Sequence, residues 1–117
     1  MPRGDEARVV AAFSAWLTEQ GWQVRTEVEH VDVLAEREGE RLFAEAKGIT
    51  SAPGLDIDTA YGQLLRRMPD AVPERVRYAL VVPEETKRAA LRVPARVREL
   101  LGIDVFTVGQ DGRIAQH

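Results

Sequence analysis

The apolar positions of this chain change period several times, and each change marks an element. Val9, Val10, Phe13, Trp16 and Leu17 recur at helical spacing and predict a first helix over 5–20. Asp5 is the expected N-cap and Gly21 the expected stop just past the end. Residues 22–27 read as a strand, and the runs 30–35 and 42–48 as two more, joined by a polar link over 36–41. Residues 50–55, with Ser51, Pro53 and Gly54 as breakers, predict a loop. Asp56 or Asp58 then caps a second helix with the stripe Ile57, Ala60, Tyr61, Leu64, Leu65 and Met68, ended by Pro69. Residues 76–82 form a continuous apolar run around Arg77, the mark of a buried strand. A helical stretch from Pro83-Glu84, broken near Pro94, ends at Leu101-Gly102; a last strand over 103–108 and an Asp111-Gly112 turn lead into a short tail. The order of helix, three strands, helix, strand, helix, strand predicts an α/β fold with a mixed central sheet and helices on both faces.

Three charged residues break the apolar pattern of the hairpin strands: Asp32 in the second, Glu45 and Lys47 in the third. Charges in such runs are costly unless they are paired or bind a metal. If Gly39-Glu40 is a two-residue type II′ loop, Asp32 faces Lys47 directly and Glu45 diagonally. Strand alternation then puts all three on one face, with Val33, Ala35, Leu42, Ala44 and Ala46 on the other. Diagonal Cβ atoms about 7–8 Å apart allow two carboxylates to share one cation. That arrangement points to a divalent-metal site for cutting phosphodiesters. The alternative is a structural salt bridge of Lys47 with the two acids, a weak reason for burying three charges.

Composition narrows the chemistry. A length of 117 residues suits one domain spanning 1–117. The chain has no cysteine and only two histidines, His30 and His117, which excludes thiolate and histidine-rich metal sites and leaves a carboxylate site for a hard cation. No segment resembles a signal peptide or a membrane span, so a cytoplasmic protein with no membrane partner is expected. The net charge of −3 is not that of a strong general nucleic-acid binder. Its distribution is uneven: residues 1–61 hold six Lys/Arg against twelve acids, and residues 62–101 nine against five. An acidic end beside a basic half suits a phosphate backbone, although arginines also solvate helix surfaces.

The Asp32…Glu45-Ala46-Lys47 pattern, in this order of elements, resembles the PD-(D/E)xK superfamily of restriction-endonuclease-like nucleases across nearly the whole chain. Within it, the chain is similar to small members such as Holliday-junction resolvases. The resemblance implies an αβββαβ core. It also draws in Gln63, in Tyr61-Gly62-Gln63-Leu64-Leu65, as the glutamine of the helix after the Glu-x-Lys strand, and Glu6 as an acid on the first helix. One departure is Val31, where the family pattern has proline.

On this reading Asp32, Glu45, the Ala46 carbonyl and Glu6 bind Mg²⁺, with Mn²⁺ as a substitute. Lys47 and Gln63 act on the attacking water, and Arg66, Arg67 and Lys87 contact phosphates. His30 is a further candidate ligand. Trp16 and Trp22 are expected in the core and not as base-stacking platforms. The expected activity is Mg²⁺-dependent endonucleolytic hydrolysis of DNA in repair, recombination or restriction, by a homodimer because two cuts need two sites. The competing expectation is a catalytically inactive domain of the same fold that binds nucleic acid or a protein partner.

Overall fold

The computed structural model describes residues 4–28, 31–71 and 75–117, so His30 lies outside the described residues. The chain runs α1 (Gly4–Glu19), β1 (Gln23–Val28), β2 (Val31–Arg37), β3 (Glu40–Ala46), α2 (Pro53–Arg67), β4 (Val76–Pro83), a 3-10 turn (Glu84–Thr86), α3 (Lys87–Ala90), α4 (Ala95–Leu101), β5 (Ile103–Val108) and β6 (Ile114–Gln116). The strands form one sheet in chain order. β2 runs antiparallel to both of its neighbours, β1 and β3, β4 joins parallel to β3 and β5 parallel to β4, and β6 closes antiparallel on β5. This is the expected mixed sheet. β6 is an addition to it, formed by part of what reads as a tail.

Side-chain alternation splits the interior into two layers. Val9, Phe13 and Leu17 of α1 pack on Val33, Ala35, Leu42, Ala44, Ala46, Ala79, Val81, Phe106 and Val108. Trp16 joins this layer, its ring 5.4 Å from that of Phe106. Ile57, Ala60, Tyr61 and Leu64 of α2 cover the other face, on Tyr78, Leu80, Val82, Ile103 and Val105. Leu65, expected in the same stripe, points outward and is exposed. Trp22 lies under Arg37, whose guanidinium carbon is 4.4 Å from the ring centroid.

The helix ends follow local chemistry only in part. α1 stops in a Schellman arrangement: Gly21, at φ +92°, donates to Thr18 O, and Trp22 N–H reaches back to Leu17 O at 3.0 Å. Gly102, at φ +70°, ends α4 in the same left-handed conformation. The N-termini differ from expectation. Asp5 is not a cap; it lies inside the first turn of α1, and its carboxylate accepts the Ile49 N–H at 2.6 Å. Neither Asp56 nor Asp58 caps α2. That helix starts inside the stretch 50–55 read as a loop, with Ala52 as cap, four residues before Asp56, and Pro53 in the first turn, where a missing N–H costs nothing. Asp56 instead hydrogen-bonds the Thr50 hydroxyl, which closes the preceding loop onto the helix.

The hairpin register differs from the expected one by two residues. Arg37 pairs with Glu40, Glu36 with Arg41, Ala35 with Leu42, Leu34 with Phe43 and Val33 with Ala44. The loop is therefore Glu38-Gly39, with φ +49° and +82°, a type I′ geometry. This register places apolar against apolar and opposite charges against each other. Arg41 Nε is 3.5 Å from Glu36 Oε2, and Arg37 Nη2 is 3.8 Å from Glu40 Oε1. The expected register would have set Leu34 against Glu45 and Glu36 against Phe43. Cross-strand pairing outweighs the cost of a glutamate at positive φ.

Candidate functional site

A shift of two residues preserves the face of every side chain, so Asp32 and Glu45 remain together. The paired ladder ends at Val33–Ala44; carried one step further, its register sets Asp32 across from Glu45 and not diagonal to it. Lys47 is not opposite Asp32. It follows β3 on the same alternation as Glu45, half-buried, with its N–H bonded to Val81 O at 3.0 Å. The parallel partner β4 thus holds the chain extended one residue past the end of the strand, which keeps Lys47 beside the two acids.

Asp32 is half-buried, and its Oδ2 accepts the Ala46 N–H at 2.8 Å. Glu45 is 5% exposed. Burial, reinforced by the neighbouring Asp32 carboxylate, pushes its carboxyl up from the usual 4.5 to about 7; the Arg67 and Lys47 cations pull the other way. Arg67 Nη1 lies 2.9 Å from Glu45 Oε1. Neither atom has a hydrogen-bond partner of acceptable direction, so the contact is an ion pair held by charge alone. Gln63 precedes Arg67 by four residues on α2 and so shares its face, and its Oε1 is buried without a partner. The helix returns antiparallel to β3, which carries Gln63 toward the Lys47 end of the strand.

The other candidates lie further off. Glu6 is half-buried in the first turn of α1, which covers the opposite face of the sheet. Its backbone nitrogen lies against Gly48, so it reaches the acids only around the end of β3. Arg66 is exposed on α2. Lys87 is close enough to His117 to help lower that imidazole's pKa, after the larger effect of burial. It lies at the start of α3, which packs on β4 and α2, and its charge effect is on His117 and not on Glu45. Much of the basic half has structural work: Arg77 pairs with Asp104 at 2.6 Å, Arg75 bonds Glu38 O at 3.0 Å, and buried Arg98 bonds Val93 O and His117 O. The Arg67–Glu45 pair had no signal in the sequence, because nothing local ties a residue near the end of a helix to one strand position.

The fit to a divalent cation rests on the donor set. Two carboxylates share one spot, one of them held toward its protonated form by burial and then by its neighbour, and buried Glu45 Oε1 and Gln63 Oε1 lack hydrogen bonds. Among the described residues no group of three His, Cys, Asp or Glu could hold a metal. Magnesium needs no such cage, since it keeps several waters and takes one or two carboxylates. The residues fit that ion.

No family model matches the chain, and no curated protein matches it. Among the described residues no helix is long and apolar enough to cross a membrane. Two solved structures share the fold. An XisH family protein from Nostoc punctiforme superposes with a TM-score of 0.62 at 22% identity, covering 93% of this chain and 97% of its own. An fdxN element excision controlling factor from Anabaena variabilis also gives 0.62, at 24% identity, covering 97% of this chain and 98% of its own. The chain therefore has the fold of these two proteins over nearly its full length.

Proposed function

We propose that the chain is a Mg²⁺-dependent endonuclease of the restriction-endonuclease-like, PD-(D/E)xK type that hydrolyses DNA phosphodiesters. The observation that carries this reading is the Asp32–Glu45 carboxylate pair, in contact on one sheet face at the end of the β2–β3 ladder with Lys47 close by. The name of one structural neighbour speaks of controlling element excision, and a role connected with excision is compatible with phosphodiester chemistry.

Asp32 and Glu45 would hold the ion. The Ala46 carbonyl, on the strand edge that faces Asp32, and retained waters would complete the donors, without Glu6, since among the described residues no third acid joins the pair. A bound Mg²⁺ supplies Lewis-acid polarisation of the phosphate and a more acidic water. The Lys47 ammonium stabilises negative charge that grows on the phosphate oxygens. The free Gln63 Oε1 accepts a hydrogen from the attacking water and so orients it. Asp32 keeps its Ala46 N–H bond, which fixes its carboxylate in advance.

A second reading draws on Arg67, which already sets a cation against Glu45. On that reading the domain is non-catalytic and binds nucleic acid or a protein partner. The deciding experiment offers supercoiled plasmid, branched DNA and RNA to the wild type, Asp32→Ala and Lys47→Ala, with Mg²⁺ or Mn²⁺. Metal-dependent cleavage of DNA that both substitutions abolish is the expected result. Salt-sensitive binding without any cleavage would replace the nuclease with the binding module.

A further inference from the structure

We infer that Arg67 is an internal placeholder cation: it neutralises Glu45 in the metal-free protein and must leave when a divalent ion binds, which releases its guanidinium for a phosphate. The inference rests on the metal-site reading above and deepens it.

Three observations carry it. First, the pair is tight in distance but poor in direction. Arg67 Nη1 and Glu45 Oε1 are 2.9 Å apart, yet neither is hydrogen-bonded. A guanidinium chosen for structure alone would use its planar fork to bond a carboxylate twice. Second, the partners differ in freedom. The Glu45 side chain is 6% exposed and fixed in a central strand, whereas that of Arg67 is 26% exposed. Arg67 is also the last residue of α2, and Met68 is already extended. The guanidinium can swing outward without disturbing the sheet.

Third, the charges balance only with Arg67 in place. Asp32 and Glu45 are offset by Arg67 and Lys47. A divalent ion added beside both cations would leave the spot strongly positive, so its entry favours the departure of the movable one. A phosphodiester arriving with the ion offers Arg67 a new partner. Metal and phosphate binding are thereby coupled, each strengthening the other by the same factor.

The test is a Mn²⁺ titration followed by electron paramagnetic resonance at mildly alkaline pH, where protons compete least for the carboxylates. It uses wild type, Arg67→Gln, Arg67→Lys and Asp32→Asn, each checked for folding by circular dichroism. Arg67→Gln should bind Mn²⁺ roughly tenfold more tightly than wild type, a difference of ~1.4 kcal/mol, because the competing charge is gone. Arg67→Lys should stay near wild type, and Asp32→Asn should lose binding. In parallel, Mg²⁺ added to the wild type should move the Arg67 guanidinium carbon resonance with the same midpoint as the Ala46 amide. Equal or weaker Mn²⁺ binding by Arg67→Gln with an unmoved Arg67 resonance overturns the placeholder and leaves the metal site standing. Absence of Mn²⁺ binding at millimolar concentration in both wild type and Arg67→Gln overturns the metal site and the placeholder with it.

Discussion

The Asp32 carboxylate accepts the Ala46 N–H at 2.8 Å, so one side chain closes the open end of the β2–β3 ladder and also stands against Glu45. These two roles separate by substitution. Asp32→Asn keeps an oxygen for the Ala46 N–H but removes the charge. The Glu45 pKa should then fall from about 7, because its burial remains while the adjacent carboxylate is gone. A carbon-detected titration of the Glu45 carboxyl reads this, and an unchanged midpoint would refute the coupling. Asp32→Ala also removes the acceptor and should be less stable than Asp32→Asn by about 1 kcal/mol in urea.

Glu45 sets a pH dependence of stability with a definite sign. Its folded pKa of about 7 lies above the 4.5 of an ordinary glutamate, so the folded state binds more protons between those values. The favourable contribution is complete below about pH 4.5 and is lost as pH rises through about 7. Glu45→Gln, always neutral, should therefore be more stable than wild type above about pH 8. The gain is about 2 kcal/mol, because the full linkage value is reduced by the partner that Arg67 loses. The advantage should shrink steadily on acidification. Denaturant melts across this range check it, and a gain that grows toward low pH would reverse the assignment.

Gly48 joins the candidate site to α1. A Cβ there would fall 2.7 Å from Glu6 N and 2.9 Å from Asp5 Oδ2, and the first of these is backbone that cannot step aside. Gly48→Ala should push the first turn of α1 away from the end of β3 and break the bond from Ile49 N–H to Asp5. A loss of about 2 kcal/mol is expected, with faster hydrogen exchange at the Ile49 amide. An unchanged exchange rate would show that the contact is dispensable.

The sequence made the faces of this fold legible, but not its fine pairing. Periodicity located α1, the hairpin strands, α2, β4 and β5 because each spans enough turns or alternations to reveal its period. β6, with three residues, is too short for that. Asp32, Glu45 and Lys47 could be set on one face from alternation alone, since any even shift of register preserves it. The register was not legible from the turn, because Gly39 fits either central position of a two-residue loop and Glu38 gives no local sign of a left-handed backbone. It was legible in the pairs: Leu34 with Phe43 and Glu36 with Arg41 are complementary, whereas Leu34 with Glu45 is not.

The same conflict predicts a stabilising substitution. Glu38 sits at φ +49° ahead of Gly39 at +82°, and a type I′ turn asks for asparagine or glycine at its first central position. A glutamate there bears the steric cost of the left-handed region, which asparagine tolerates better. The Glu38 side chain is exposed, and the bond to Arg75 is made through the Glu38 backbone carbonyl, so it survives substitution. Glu38→Asn should therefore stabilise the protein by roughly 0.5–1 kcal/mol. In a domain of this size the thermal midpoint should rise by about 3–6 °C. The site lies at the far end of the hairpin from Asp32 and Glu45, so Mn²⁺ affinity should stay unchanged. A lower midpoint would mean that the hairpin turn is not type I′, and the pairing of Asp32 directly across from Glu45 would have to be redrawn.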